Sequence, residues 1–386
     1  MKVFILAGEP SGDKLGGALM AGLKALETDI TFQGIGGPEM TANGLESRFD
    51  MAELSVMGVA EILPKYRALM ARINETAEAV LAMQPDVLIT IDSPDFSLRV
   101  ARRVKAKSAI RTVHYVAPTV WAWRPGRAEK MAHYVDHVLA LLPFEPPYMQ
   151  AAGMRCDFVG HPVVAEPVAT QEAAQAFRAR HNLGEAPLLL VLPGSRQSEV
   201  GRLGPIFQQV VARLHLEKPE LRVVIPAAAP VVGAVRRLTQ NWDQKPLVLN
   251  PFDGDAADPM AEKRAAFRAA DVALAASGTV SLELAASQTP MVIAYDMNWL
   301  SRQIIGRMVK LDTVTLVNLV TQTRSVPEFI GVNCLPGPIA DAVLRVLAEP
   351  DAQKAAMAQS IVMLGQGGEA PGLRAARAVL EGMQAH

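Results

Sequence analysis

Residues 188–199 read Leu188-Leu189-Leu190-Val191-Leu192-Pro193-Gly194-Ser195-Arg196-Gln197-Ser198-Glu199. Five apolar residues broken by a proline and a glycine fit a strand buried on both faces, and the polar run that follows opens a helix. In open α/β sheets ligands lie at the carboxyl ends of the strands, where helix-terminal amides favour phosphate. Gly194 lets the backbone approach an anion, the Ser195 hydroxyl can donate to it, and Arg196 adds a planar, permanently charged fork. The stretch reads either as a diphosphate loop or as an ordinary strand-to-helix turn with a solvated arginine.

Outward from it, strand patterns alternate with helical ones. Residues 2–7, 31–35, 86–91, 111–116 and 137–142 form one series; a second begins at Leu188 and continues through 221–225, 247–249, 272–275 and 291–295. This alternation predicts parallel, right-handed βαβ units. The fold class is therefore α/β, with two doubly wound, Rossmann-like parallel sheets facing a cleft. Gly160-His161-Pro162-Val163-Val164-Ala165-Glu166-Pro167 marks the junction. We expect one domain over 1–165, a second over 166–340, and C-terminal helices over 341–386 that return to the first domain or stay apart from it.

The chain has 386 residues, 50% hydrophobic and 20% charged, with a formal net charge of −1. That balance argues against nucleic-acid binding by bulk electrostatics, so any anionic ligand must meet a local basic patch. Cys156 and Cys334 are too few for a disulfide framework and have no metal-ligand spacing, which points to a reducing cytosol. No apolar run reaches the roughly 20 residues of a membrane span. The histidines form no convincing ligand set, so no metal site is expected; His161 either lines the cleft or is structural.

Several strand ends carry candidate chemistry. Gly8-Glu9-Pro10-Ser11-Gly12-Asp13 lacks both the Walker lysine and the GxGxxG spacing. Ser11 and Asp13 there are either substrate contacts or, for Asp13, a helix-terminal residue. Ile91-Asp92-Ser93-Pro94-Asp95-Phe96 puts two carboxylates at a strand mouth. Asp92 suits a general base and Asp95 lies beside it, the alternative for both being helix capping. The loop holding Trp121, Trp123, Arg124 and Arg127 can meet an amphiphile with its rings and a phosphate with its arginines, or form a packed corner. Ala276-Ser277-Gly278-Thr279-Val280-Ser281-Leu282-Glu283 repeats the phosphate logic. Glu283 can accept from ribose hydroxyls, or Thr279 can cap the helix. Two basic amphipathic segments, 57–70 and 299–311, fit either a membrane surface or a core.

Taken together, the blocks Gly8–Asp13, Val56-Met57-Gly58, Ile91–Phe96, Pro118–Arg124, Leu192–Arg196, Ser277-Gly278-Thr279 and Val317-Asn318-Leu319 resemble those of the lipid-A-disaccharide synthases. These are inverting glycosyltransferases of the two-Rossmann-domain (GT-B) type. The resemblance spans roughly the first 320 residues. It implies transfer of 2,3-diacylglucosamine from its UDP donor onto 2,3-diacylglucosamine 1-phosphate, giving a β-1,6-linked disaccharide and UDP, without metal or cofactor.

It also implies roles. Gly194, Ser195, Arg196, Ser277, Gly278, Thr279, Glu283 and Asn318 would hold UDP, with Arg196 stabilising the departing diphosphate. Asp92 would deprotonate the acceptor 6-hydroxyl. Ser11, Asp13, Asp95, Trp121, Arg124 and Arg127 would serve the acceptor. Acylated substrates imply a cytoplasmic enzyme peripheral to the inner membrane; a homodimer is left open. The rival readings are a UDP-sugar epimerase of the same architecture and a non-catalytic nucleotide-sensing module.

Overall fold

A computed structural model of the chain describes residues 1–54, 62–121, 126–252, 258–296 and 312–384. It divides into two units, Met1–Ala165 with Leu364–His386, and Glu166–Met363.

The first unit holds a six-stranded sheet in the order β2-β1-β3-β4-β5-β6. Its strands are β1 Lys2–Ala7, β2 Thr31–Ile35, β3 Val87–Ile91, β4 Arg111–Tyr115, β5 His137–Ala140 and β6 Arg155–Phe158. Every pairing is parallel. Burial explains why these segments become strands: Val3 to Ala7 and Val87 to Ile89 are fully enclosed, the continuous apolar pattern of a sheet covered on both faces. The sequence pattern leaves out β6, since Arg155-Cys156-Asp157-Phe158 is an edge strand with mostly half-exposed, polar residues.

The C-terminal stretch does not act as one piece. Helix Pro371–Gln384 belongs to the first unit, where small residues let it cross closely over helix Pro10–Leu26, with Ala18 and Gly22 meeting Gly372 and Ala376. Helices Pro336–Ala348 and Asp351–Met363 belong to the second unit.

The second unit holds another parallel six-stranded sheet, ordered β12-β11-β10-β7-β8-β9. These strands are β7 Leu188–Leu192, β8 Arg222–Pro226, β9 Leu247–Leu249, β10 Val272–Ala275, β11 Met291–Tyr295 and β12 Glu328–Ile330. β7 is central and buried along its length, as its composition requires. β12, three half-exposed residues at an edge, carries too short a pattern to be read in advance.

Strand order locates the ligand-binding ends. In the first sheet the chain places β2 on one side of β1 and β3 on the other; in the second it places β8 and β10 on opposite sides of β7. Loops leaving the two strands at such a reversal diverge to opposite faces and leave a crevice at the strands' carboxyl ends. The crevices therefore open beyond Ala7 and Ile91 in one unit, and beyond Leu192 and Ala275 in the other.

Candidate active site

In the second unit β7 and β10 end in register, Leu192 opposite Ala275, and the Ala276 N–H donates to the Leu192 carbonyl at 2.9 Å. Beyond them lies a cavity of about 860 Å³, lined among others by Gly194, Ser195, Arg196, Ser277, Gly278, Thr279 and Glu283. The two loops singled out in the sequence thus line one cavity together.

Each carboxylate in that wall faces a cation. Glu199 meets the Arg196 guanidinium at 3.2 Å, and Glu283 meets Lys263 at 2.6 Å. Glu262 pairs with Arg180 and, at 2.6 Å, with His181. Thr279 stands at the N-cap of helix Val280–Ala286 but its side chain makes no capping bond, so Glu283 is committed to Lys263 rather than to a capping box. Sequence reading missed Lys263, Arg180, His181 and Glu262. Helices Pro259–Ala269 and Gln171–Arg180, the latter capped by His181, carry only ordinary charged faces in the sequence, and it is the fold that brings these residues to the cavity.

Asn318 does not share this cavity. It is fully buried, donates to Thr313 Oγ1 at 3.2 Å and the Val326 carbonyl at 2.9 Å, and accepts from the Val326 N–H at 3.0 Å. With its amide engaged on both sides, it ties the start of helix Leu316–Thr321 to the segment entering β12.

In the first unit Asp92 and Ser93 follow β3 with φ of +45° and +43°, two consecutive left-handed residues without a glycine. Such backbone is costly and persists where its surroundings hold it, commonly at functional turns. Here the Asp92 N–H donates to the Tyr115 carbonyl at 3.0 Å, and the Ser93 side chain packs so closely on Gly8 that a Cβ there would lie 2.7 Å from its Oγ. The turn leaves Asp92, half-buried, at the carboxyl end of β3, where it has no side-chain partner among the described residues. Neither aspartate caps the next helix: Ser93 holds that position, and Asp95 is exposed, 3.9 Å from Arg99.

Ser11 is exposed in the first turn of helix Pro10–Leu26. Asp13 closes a helix end, though not that of its own helix. Buried, it accepts from the N–H groups of Gly37 (2.7 Å), Glu39 (2.9 Å) and Met40 (3.1 Å), closing the start of helix Pro38–Ala42. Three of the carboxylate's roughly four acceptor sites are thereby used.

Trp121 stacks edge-on against Phe144, ring centroids 5.1 Å apart, and its indole N–H donates to Glu145 at 3.3 Å. Glu145 also accepts from the Leu142 N–H at 3.0 Å, and burial pushes its carboxyl up to about 7. Arg127 is half-buried and its charge, after burial itself, helps press His114 down to about 3. His161 is buried, and its Nδ1 accepts from the Val163 N–H at 3.1 Å. Arg124, the segment 299–311 and the start of 57–70 lie outside the described residues. In the rest of 57–70, Leu69 and Met70 pack on the core, while Tyr66 is exposed under the Arg99 guanidinium.

Comparison with known proteins adds an independent line. A family profile described as Lipid-A-disaccharide synthetase matches residues 3–373. The lipid-A-disaccharide synthase of Ruegeria pomeroyi is 62% identical over 381 residues, covering 99% of this chain and 95% of that protein. That of Rhodospirillum centenum is 46% identical over 384 residues, covering 98% and 94%. Among solved structures, the UDP-GlcNAc 2-epimerase of Neisseria meningitidis superposes with a TM-score of 0.63 at 12% identity, covering 100% of both chains. MurG of Acinetobacter baumannii gives 0.53 at 14% identity, covering 100% and 99%.

Two doubly wound parallel sheets, together with these relatives, define a glycosyltransferase of the two-Rossmann-unit class. The epimerase likeness is one of fold alone. The chain belongs to the lipid-A-disaccharide synthase family, whose activity is formation of the lipid A disaccharide.

Proposed function

We propose that the chain transfers the diacylglucosamine unit of UDP-2,3-diacylglucosamine to the 6-hydroxyl of 2,3-diacylglucosamine 1-phosphate. The Asp92 carboxylate takes the hydroxyl proton as the oxygen attacks the anomeric carbon. The bond from that carbon to the diphosphate oxygen breaks with inversion, and its electron pair leaves on UDP. The second unit binds the donor through Ser195, Arg196, Ser277, Gly278 and Thr279, with Glu283 toward the ribose. Arg196 meets the charge that develops on the departing diphosphate, which is worth most when the donor group is already in position. The first unit serves the acceptor through Asp92 and, around it, Ser11, Asp95, Trp121, Arg124 and Arg127.

The observation that carries this reading is the joint lining of one 860 Å³ cavity by the two glycine-serine loops that leave β7 and β10. Four acyl chains across the two substrates favour work at a bilayer surface, on the cytoplasmic face of the inner membrane. No helix among the described residues is long and apolar enough to cross a membrane, so contact with the bilayer would be peripheral. The test is UDP release from the donor with and without the monosaccharide phosphate. Release that depends on acceptor, with a disaccharide phosphate as product, supports transfer; acceptor-independent release, or epimerised donor, contradicts it.

A further inference from the structure

The loop after β7 already holds an anion of its own. Glu199, in the first turn of helix Gln197–Glu217, folds back so that one carboxylate oxygen accepts from the N–H of Ser195 at 3.0 Å and of Arg196 at 3.3 Å. The other oxygen meets the Arg196 guanidinium at 3.2 Å. Its side chain is only 14% exposed, whereas that of Arg196 is 67% exposed. Gly194, at φ +110°, makes room for it, since a Cβ there would lie 2.5 Å from the Glu199 Cβ.

Two consequences follow. Amides already bonded to a carboxylate cannot also take a phosphate, and a diphosphate brought up to that carboxylate would be repelled by it. The loop's contact with the donor must then run through the Arg196 guanidinium and the Ser195 hydroxyl. An exposed arginine has many rotamers, and Glu199 is the group that narrows them at the rim of the cavity.

We infer that Glu199 is a positioning residue, which holds Arg196 pointed at the donor diphosphate and acts on the reaction only through that arginine. This rests on the diphosphate reading of the cavity. A charge-assisted hydrogen bond that fixes a donor in advance lowers the reorganisation needed as charge develops on the leaving group. The effect therefore falls on turnover more than on ground-state binding.

The test is a double-mutant cycle on the full chain with R196A, E199Q and the pair, reading UDP affinity by calorimetry and turnover with donor and acceptor. Glutamine keeps an acceptor for the two amides but loses the charge that holds the guanidinium. E199Q is expected to lower kcat by about ten- to a hundredfold, the scale of a misplaced group. Its UDP affinity should stay within about threefold of wild type, and it should add nothing to the loss in R196A. Tighter UDP binding by E199Q would mean that the carboxylate merely competes with phosphate, and would overturn the inference. So would unchanged turnover, or losses that multiply in the double variant. If R196A itself binds UDP and turns over as wild type does, it is the diphosphate reading of the loop that fails.

Discussion

The N–H of Asp92 donates to the carbonyl of Tyr115 at 3.0 Å, fastening the turn after β3 to the end of the adjacent strand β4. That bond helps hold two successive non-glycine residues in left-handed backbone at the carboxyl end of the sheet. The geometry and the proposed chemistry of Asp92 can therefore be separated by substitution.

Asparagine tolerates left-handed backbone and alanine does not. Asp92→Ala is expected to unfold at lower denaturant than Asp92→Asn, by about 1 kcal/mol of stability. Equal denaturation midpoints for the two variants would show that the turn carries no such strain.

Gly8 faces Ser93 with no space for a methyl group. Gly8→Ala should push the ends of β1 and β3 apart and reduce turnover, while UDP affinity, a property of the other unit, stays at the wild-type value. A variant with full turnover would separate this contact from the acceptor site.

Glu283 sits in the cavity wall, 2.6 Å from Lys263. If it receives ribose hydroxyls, Glu283→Ala should weaken UDP binding by about tenfold, or 1.4 kcal/mol. Calorimetry giving the wild-type dissociation constant would remove it from the donor site.

Burial raises the Glu145 carboxyl to about 7 from an ordinary 4.5. Below the lower value both folded and unfolded forms are protonated, and nothing is lost. As pH rises toward 7 the unfolded chain releases the proton while the folded one keeps it, so stability falls across that window and levels off above it. The loss is about 3 kcal/mol for a shift of this size. Glu145→Gln should remove this pH dependence. His161, pushed down to about 4 by burial, works in the opposite sense: its contribution is present above about 6.5 and lost as pH falls toward 4. Denaturation from pH 4 to 8, comparing wild type with Glu145→Gln, checks the sign. A difference between them that does not change with pH would contradict it.

Much of the architecture is legible in local sequence because parallel strands are apolar along their whole length: 188–192 and 2–7 could hardly be anything else. That the loops after β7 and β10 leave adjacent strands at the same end of the sheet was readable for the same reason, since each follows directly on such a strand. Residues whose role depends on distant partners were not. Asp13 lies in the glycine-rich start of helix Pro10–Leu26, yet the three amides it binds come 24 to 27 residues later. Asn318 matches a family block but spends its amide on residues 313 and 326. Lys263, Glu262 and Glu145 had no local pattern at all; burial and the reversal of strand order give them their neighbours.

The proposal that Asp92 is the general base is tested most directly by measuring turnover and UDP affinity together in Asp92→Asn. A positioned base contributes about 10² to 10⁴ in rate. The account predicts that acceptor-dependent UDP release falls by that order while UDP binds with wild-type affinity. Release within a few fold of wild type, or loss of UDP binding in step with activity, would contradict it.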